Sequence, residues 1–278
     1  MSGTRPLISV IQFPGVNCEY ETGRALEKCG LAAAIVRWNE PLSRLEGSDG
    51  FVLPGGFSYE DRVRAGAIAA ADDILAMLPE QAGAGKPVIG ICNGAQVLVE
   101  AGLVPGLPPG EIHLALAPNR GQGRDGYYAN WVFVKAAGQA AKCVATYSLE
   151  PGEVIPIPIA NSQGRFTSEA PGLFDRLESA GQIVLKYCRS DGGEARGFPD
   201  DPNGSALLAA AISNRRGNVV AMMPHPERGT WLRQVPEELA GPWGSAKVAG
   251  RGSRQALGGL GPSARIFRSL AAYIEERL

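Results

Sequence analysis

The segment 87–96, which reads PVIGICNGAQ, places a cysteine where an apolar run of strand length meets the start of a helix. A strand that turns abruptly into a helix at a nucleophile is the elbow geometry of the G-x-S-x-G motif, with Cys92 here in the serine position. Gly90 and Gly94 leave room for the tight turn because neither carries a Cβ. The helix macrodipole favours a thiolate at this place. The pattern therefore predicts a nucleophilic thiol that the turn exposes, and the alternative is a buried structural cysteine.

Short apolar runs alternate with helical patterns through the first hundred residues. Strands are predicted over 7–13, 33–37, 50–53 and 88–91, and helices over 18–28, 65–78 and 95–100. Strands of this kind separated by helices are typical of a parallel sheet that helices cover on both faces. We therefore predict an α/β fold, namely a three-layer, mostly parallel open sheet flanked by helices.

The second half of the chain lacks long helices between its predicted strands, which lie at 128–135, 142–147, 155–160, 207–213 and 219–223. This spacing indicates a mixed or antiparallel extension of the sheet. Residues 241–262 are rich in glycine and serine without periodicity, so the longer stretch 229–262 is expected to be a flexible loop or linker. An amphipathic stripe then predicts a helix over 263–278.

Charge and cysteine content exclude several classes of function. The chain carries 27 basic and 28 acidic residues, so it has no net attraction to nucleic acid or to a membrane surface. No apolar run is long enough to span a membrane, and the N-terminus lacks a signal-peptide pattern. The five cysteines are scattered without a C-x-x-C spacing, which favours reduced thiols in a cytoplasm over a disulfide framework or a zinc site.

A cysteine nucleophile needs a base to accept its proton and a third group to orient that base. The chain has two histidines. His225 lies in the sequence PHPE, where extended backbone would put its side chain on the same side as Glu227. His113 lies in a proline-rich segment without catalytic residue types nearby. We therefore predict a Cys92–His225–Glu227 triad, in which the carboxylate orients the imidazole; a surface turn is the alternative for 224–227.

The loop Pro54-Gly55-Gly56-Phe57-Ser58 follows the predicted strand 50–53. Ligands of open α/β sheets gather at the carboxyl ends of the strands, so this loop and the elbow are expected to share one crevice. Glycines let backbone N–H groups point at a developing oxyanion, and the N–H of Asn93 is the expected second donor. The sequence has no G-x-G-x-x-G fingerprint and no metal-ligand spacing, so neither a cofactor nor a metal is predicted in this chain.

Three of these motifs together resemble the class I glutamine amidotransferases: the elbow GICNGAQ, the loop PGG and the sequence HPE. Within that class the chain resembles the glutaminase subunits of phosphoribosylformylglycinamidine synthase. The closer resemblance lies in FPGVNCE at 13–19, PGGFSYED at 54–61, RAGAIA at 64–69, DPNGS at 201–205 and MMPHPER at 222–228. Two features depart from that family. Asn161-Ser162-Gln163 stand where it usually has His-Gly-Glu, and compact bacterial subunits lack the long segment 229–262.

The resemblance implies one flavodoxin-like glutamine amidotransferase domain over 5–278, which hydrolyses L-glutamine to glutamate and ammonia. It implies Cys92 as the nucleophile, His225 as the base and Glu227 as the group that orients it. The other implied site residues are Gly55, Gly56, Phe57 and Asn93 around the oxyanion, and Gln96 in the glutamine pocket. Ammonia would pass to a separate synthetase subunit of purine biosynthesis that uses ATP and Mg²⁺, and a small bridging subunit is a further possible partner.

Two other functions remain open from the sequence. A stand-alone cysteine hydrolase or peptidase of the same fold would need neither Gln96 nor a partner subunit. A degenerate, non-catalytic regulator is the second, although a silent site has no physical reason to retain Cys92, His225 and Glu227 together.

Overall fold

A computed structural model describes residues 5–107, 111–121, 126–137 and 143–278. The strands are β1 (Leu7–Gln12), β2 (Ala32–Arg37), β3 (Gly50–Leu53), β4 (Val88–Ile91), β5 (Ala115–Ala117), β6 (Tyr128–Ala136), β7 (Val154–Asn161), β8 (Arg165–Thr167), β9 (Ile183–Cys188), β10 (Ala209–Ser213) and β11 (Val219–Met222). Nine of them form one sheet in the order β2-β1-β3-β4-β11-β10-β9-β6-β7, and β5 pairs with β8 separately.

The large sheet has a parallel half and an antiparallel half. Strands β2, β1, β3, β4 and β11 are parallel neighbours. From β11 onward each neighbouring pair, through β10, β9 and β6 to β7, is antiparallel. All residues of β3, β4 and β11 are buried, as expected for central strands covered on both faces. The predicted parallel sheet with an antiparallel extension is therefore confirmed.

Helices flank this sheet. They are α1 (Glu19–Lys28), α2 (Ala67–Ala70), α3 (Asp73–Ala76), α4 (Leu78–Gly83), α5 (Asn93–Glu100), α6 (Leu173–Ser179), α7 (Pro242–Ala249), α8 (Arg254–Leu257) and α9 (Ala264–Arg277). Helix α5 packs against β3, β4 and β11, whereas α1 packs against β1, β2 and α9. None of the helices in the described ranges is both long and apolar enough to cross a membrane.

Two predicted elements are wrong. The helix expected over 65–78 is broken into short helices, because Asp72 accepts a hydrogen bond from the N–H of Ile74 (3.2 Å) and begins a new helix there. The strand expected over 142–147 is a series of turns in its described part, 143–147. Its backbone bonds to turns rather than to a neighbouring strand: the N–H of Thr146 donates to the carbonyl of Cys143 (3.0 Å) and that of Val144 to the carbonyl of Gly217 (2.8 Å). Lys142 lies outside the described residues.

The segment 229–262 is more structured than its composition indicates. It contains α7 and α8, and the side chain of Ser253 caps α8 by accepting from the N–H of Ala256 (3.1 Å). The helix predicted over 263–278 follows as α9. Whether the segment moves stays a prediction, as does the assignment of 5–278 to one domain.

Three central strands end at the same edge of the sheet. Leu53, the last residue of β3, pairs with Gly90 in β4, and Ile91, the last of β4, pairs with Met222 at the end of β11. Because these strands are parallel, the chain segments that follow them leave on the same side. The loop after β3, the elbow after β4 and the HPE segment after β11 are thereby brought together.

Candidate active site

Cys92 forms the turn between β4 and α5. Its backbone has φ 51° and ψ −106°, a conformation that L-residues adopt at a cost of order 1–3 kcal/mol. The turn also brings α5 close to β3: a Cβ at Gly94 would lie 1.9 Å from the carbonyl oxygen of Leu53. The thiol is not exposed on the surface as expected, since Cys92 is 8% exposed. It instead lines a pocket, 3.7 Å from the carbonyl of Ala160.

His225 and Glu227 form a buried pair beside Cys92. Nδ1 of His225 lies 2.5 Å from Oε1 of Glu227. The backbone at 226–229 is a 3-10 turn rather than the expected extended strand, and the N–H of His225 is fixed by the carbonyl of Pro158 (2.7 Å). Nε2 of His225 is buried and makes no well-aligned hydrogen bond to another described residue. With Nδ1 held by the carboxylate, Nε2 is the nitrogen left for proton transfer.

The imidazole of His225 favours its protonated form. Burial opposes the charge, but the carboxylate of Glu227 and the neighbouring thiols of Cys92 and Cys18 outweigh it, so the pKa of His225 is raised well above its ordinary value. A protonated imidazole next to a reacting group can act as a general acid. His113, the other histidine, is not among the residues that line this pocket.

Cys18 also lies close to the imidazole of His225, a position that the sequence did not predict. Its Sγ accepts a hydrogen bond from Nη2 of Arg228 (3.1 Å), whose Nε donates to Glu21 (3.0 Å). Donor atoms of Cys18, His225 and Glu227 lie within 4.8 Å of one another, a set that could hold a metal ion. The guanidinium of Arg228 on the thiol disfavours a second cation there. Burial raises the pKa of Cys18.

The glycine loop lies against the imidazole of His225. A Cβ on Gly55 would lie 2.8 Å from Cε1 of His225, so the loop and the imidazole are in contact. The N–H of Phe57 donates to the carbonyl of Gly15 (3.0 Å) and is therefore occupied. The N–H of Gly56 makes no hydrogen bond to another described residue. Asn93 is the first residue of α5, and its N–H has no intrahelical acceptor.

The pocket that these residues line has a cavity volume of about 60 Å³. It contains five of the predicted site residues, Gly56, Phe57, Cys92, Gln96 and His225, with Glu227 behind His225. Nε2 of Gln96 donates to the carbonyl of Gln163 (2.8 Å), and its Oε1 accepts from Nδ2 of Asn93 (3.0 Å). The lining residues that the sequence did not assign to the site are Asn17, Cys18, Asp61, Tyr127, Ala160, Asn161, Ser162, Gln163 and Arg228.

Asn161, at the position of the family's histidine, belongs to a buried amide cluster behind the pocket. Its Oδ1 accepts from Nδ2 of Asn119 (3.0 Å) and from Nδ2 of Asn203 (2.7 Å). Asn203 Nδ2 also donates to Asn119 (2.8 Å), so the three amides hold one another. Asn203 lies in the DPNGS segment, so this motif is hydrogen-bonded to Asn161 in the pocket wall.

The open sheet, the cysteine elbow and the His–Glu pair are those of a glutamine amidotransferase. The family model for the CobB/CobQ-like glutamine amidotransferase domain matches residues 5–274, and the chain belongs to this family. Within it, the chain groups with the proteins named phosphoribosylformylglycinamidine synthase subunit PurQ.

Three relatives support this grouping. The chain is 44% identical over 276 residues to the PurQ subunit of Methanothrix thermoacetophila, covering 97% of this chain and 98% of the relative. It is 39% identical over 222 residues to the PurQ subunit of Pyrococcus furiosus, covering 80% and 88%. A solved structure, that of PurLQS from Thermotoga maritima, is similar with a TM-score of 0.71 and 28% identity over 98% of this chain and 100% of that one. The Methanothrix match includes the segment 229–262.

Proposed function

We propose that this chain is the glutaminase subunit of a phosphoribosylformylglycinamidine synthase, which hydrolyses L-glutamine to glutamate and ammonia for a separate synthetase subunit. The observation that carries this is one pocket lined by the thiol of Cys92, the imidazole of His225 and the backbone of Gly56, with Glu227 bonded to the imidazole from behind. The fold family and the PurQ relatives supply the choice of glutamine over another amide.

In the first half of the reaction, the Cys92 thiolate attacks the side-chain amide carbon of glutamine. The carbonyl oxygen becomes an oxyanion, which accepts hydrogen bonds from the N–H groups of Gly56 and Asn93. Gly56 is favoured over Phe57 because Gly15 already occupies the N–H of Phe57. The imidazolium of His225 gives its proton to the leaving nitrogen. Ammonia departs, and a thioester between Cys92 and the glutamyl carbonyl remains.

In the second half, His225 is neutral and accepts a proton from a water molecule as the water attacks the thioester carbon. The same two N–H groups stabilise the second oxyanion. Its collapse expels the Cys92 thiolate and releases glutamate, which restores the thiolate–imidazolium pair. Glu227 keeps the proton of Nδ1 in place throughout and stabilises the charged imidazole.

Ammonia would then reach a synthetase subunit, which holds the ATP and Mg²⁺ that the amidation needs, in a complex that also includes a small bridging subunit. The chain would work in the cytoplasm, where its thiols stay reduced. We expect the isolated chain to hydrolyse glutamine slowly and the synthetase to accelerate it. A partner that orients the Gly55-Gly56-Phe57 backbone could aim the N–H of Gly56 at the oxyanion, and one well-aligned donor contributes about 10²–10³ in rate.

The test is the substitution Cys92→Ala in the reconstituted synthase. Synthesis from glutamine should be lost, while synthesis from added ammonia should stay close to that of the unaltered complex. Cys29→Ala is the matched control, because Cys29 is a half-buried thiol bonded to the carbonyl of Ala264 (3.7 Å), away from the pocket.

Loss of synthesis from both nitrogen sources in Cys92→Ala would make Cys92 structural and overturn the proposal. Full glutaminase activity of the isolated chain, unchanged by the synthetase, would instead favour a stand-alone hydrolase.

A further inference from the structure

We propose that Asp61 is the specificity residue that binds the α-ammonium group of the substrate. This inference rests on the proposed glutaminase function and deepens it. A glutaminase must distinguish free glutamine from other primary amides, and the α-ammonium group is one of the features that marks the free amino acid. The reaction itself occurs at the other end of the molecule and needs no contact with that group.

Asp61 is the one carboxylate among the residues that line the described pocket. The pocket's cationic groups, His225 and Arg228, would repel an ammonium ion. An ammonium group that leaves water needs an acceptor and, where the dielectric is low, an opposite charge. Of the side chains that line the pocket, only Asp61 offers both.

The hydrogen bonds around Asn93 hold Asp61 close to the reacting centre. Asn93 directly follows the nucleophile, and its Nδ2 donates both to Oδ1 of Asp61 (3.2 Å) and to Oε1 of Gln96 (3.0 Å). Its Oδ1 accepts from the N–H of Ser58 (2.9 Å), which fixes the orientation of the amide. Asp61 therefore contacts the residue that directly follows Cys92. In an extended glutamine the α-carbon lies only a few bonds from the side-chain amide.

One oxygen of Asp61 is left for a ligand. Oδ2 makes no hydrogen bond to another described residue, whereas Oδ1 is held by Asn93. Gln96 is less suited, because Asn93 engages its oxygen and its amide nitrogen donates to Gln163. Glu60, the neighbouring carboxylate, is exposed and pairs with Arg62 (2.8 Å) instead. The half-buried carboxyl of Asp61 has its pKa raised by burial, a cost that an adjacent cation would offset.

The backbone around Asp61 is strained in a way that fits a binding role. Tyr59, Glu60, Asp61 and Val63 all have positive φ, at 52°, 58°, 53° and 71°. Such conformations are unfavourable for residues other than glycine and persist only where the surroundings fix them. Tyr59 supplies that restraint: its hydroxyl donates to Asp72 (2.8 Å) and its N–H to the carbonyl of Pro14 (2.7 Å). The restrained loop holds the carboxylate at the pocket.

The experiment compares L-glutamine with 4-carbamoylbutanoate, which has the same amide and carboxylate but no α-ammonium group. The unaltered protein, assayed with its synthetase, should prefer glutamine by its kcat/KM. In Asp61→Asn this preference should fall by about 10- to 100-fold, the usual effect of losing a charge-assisted hydrogen bond. The loss should appear mainly as a higher KM for glutamine, with kcat/KM for the analogue within about threefold of the unaltered value.

A second measurement needs no turnover. Diazoketone analogues of glutamine, with and without the α-amino group, should alkylate Cys92, and Asp61→Asn should slow only the amino-bearing reagent. Glu60→Gln is the matched control and should leave both preferences unchanged. The reaction of Cys92 with iodoacetamide should be the same in Asp61→Asn, which shows that the elbow is intact.

Equal losses for both substrates would mean that Asp61 positions Asn93 and does not bind the ammonium group, and would overturn the inference. An undiminished preference in Asp61→Asn would overturn it as well. If the proposed glutaminase function were wrong, the unaltered protein would hydrolyse neither glutamine nor 4-carbamoylbutanoate. The relative rates at which the two diazoketones alkylate Cys92 would still test the role of Asp61.

Discussion

Nδ1 of His225 lies 2.5 Å from Oε1 of Glu227, and both side chains are buried. Two residues apart in the chain, they share a 3-10 turn that follows the last parallel strand. The buried carboxylate of Glu227 stabilises the charged imidazole, so the protonation of His225 depends on Glu227. A set of pH experiments can test this dependence.

We expect Glu227→Gln to move the alkaline limb of the glutaminase pH profile to lower pH. The imidazolium exists below its pKa, and that pKa is raised by Glu227 against the opposing effect of burial. Without the carboxylate the pKa falls, so the imidazolium is lost at a lower pH. The readout is kcat against pH. An alkaline limb at the same pH in both proteins would contradict it.

His225→Ala should cost more activity than Glu227→Gln, because it removes the base rather than its orientation. In a serine protease with an analogous triad, loss of the histidine and loss of the carboxylate that orients it differ in their effect on kcat by roughly two orders of magnitude. Steady-state kinetics with glutamine measure both variants, and Asn130→Ala, at an exposed position, serves as the control.

Cys92 should react with iodoacetamide before the other four thiols at neutral pH. Burial raises the pKa of Cys29, Cys143 and Cys188 to about 11, and it raises that of Cys18 as well, so these thiols stay protonated. Peptide mapping after partial labelling identifies the first site. Cys18 is the informative competitor, since it touches the same imidazole. If it were labelled first, the assignment of the nucleophile would be wrong.

Gly94→Ala should destabilise the protein by about 1–3 kcal/mol or more, because its Cβ would collide with the backbone of β3 at Leu53. Gly83→Ala is the matched control: nothing lies within 4 Å of its added Cβ, and the change should stabilise by about 0.4–1 kcal/mol. Urea denaturation with a common m-value measures both. A neutral Gly94→Ala would show that the elbow is less tightly packed than its geometry indicates.

Asn161→Ala should lower the free energy of unfolding by about 1–3 kcal/mol, since it removes the acceptor of two buried hydrogen bonds from Asn119 and Asn203. Asn130→Ala should change it by less than about 0.5 kcal/mol, because that side chain is exposed. Thermal or urea unfolding distinguishes them. Equal effects would mean that the amide cluster contributes little to the stability of the pocket wall.

The sequence by itself indicated that buried parallel strands alternate with helices, and it indicated the residues that could do the chemistry. A short apolar run such as 88–91 is typical of a buried strand. A cysteine between a strand and a helix, with flanking glycines, is typical of a nucleophile elbow. With two histidines in the chain, the choice of His225 depended on its local neighbours alone. These are short-range signals, which can be recognised without knowledge of the tertiary contacts.

The tertiary structure decided what depends on distant contacts. The strand β9 and the breaks in the predicted helix 65–78 are set by packing and by the cap at Asp72. Cys18, Asp61 and Asn161 reach the pocket from separate segments, each through hydrogen bonds to residues far away in sequence. Likewise, Gly56 is a better candidate than Phe57 for the oxyanion donor because the carbonyl of Gly15, 42 residues from Phe57, accepts the N–H of Phe57. Such contacts leave no periodicity in the chain, because they arise when the sheet brings the segments to one edge.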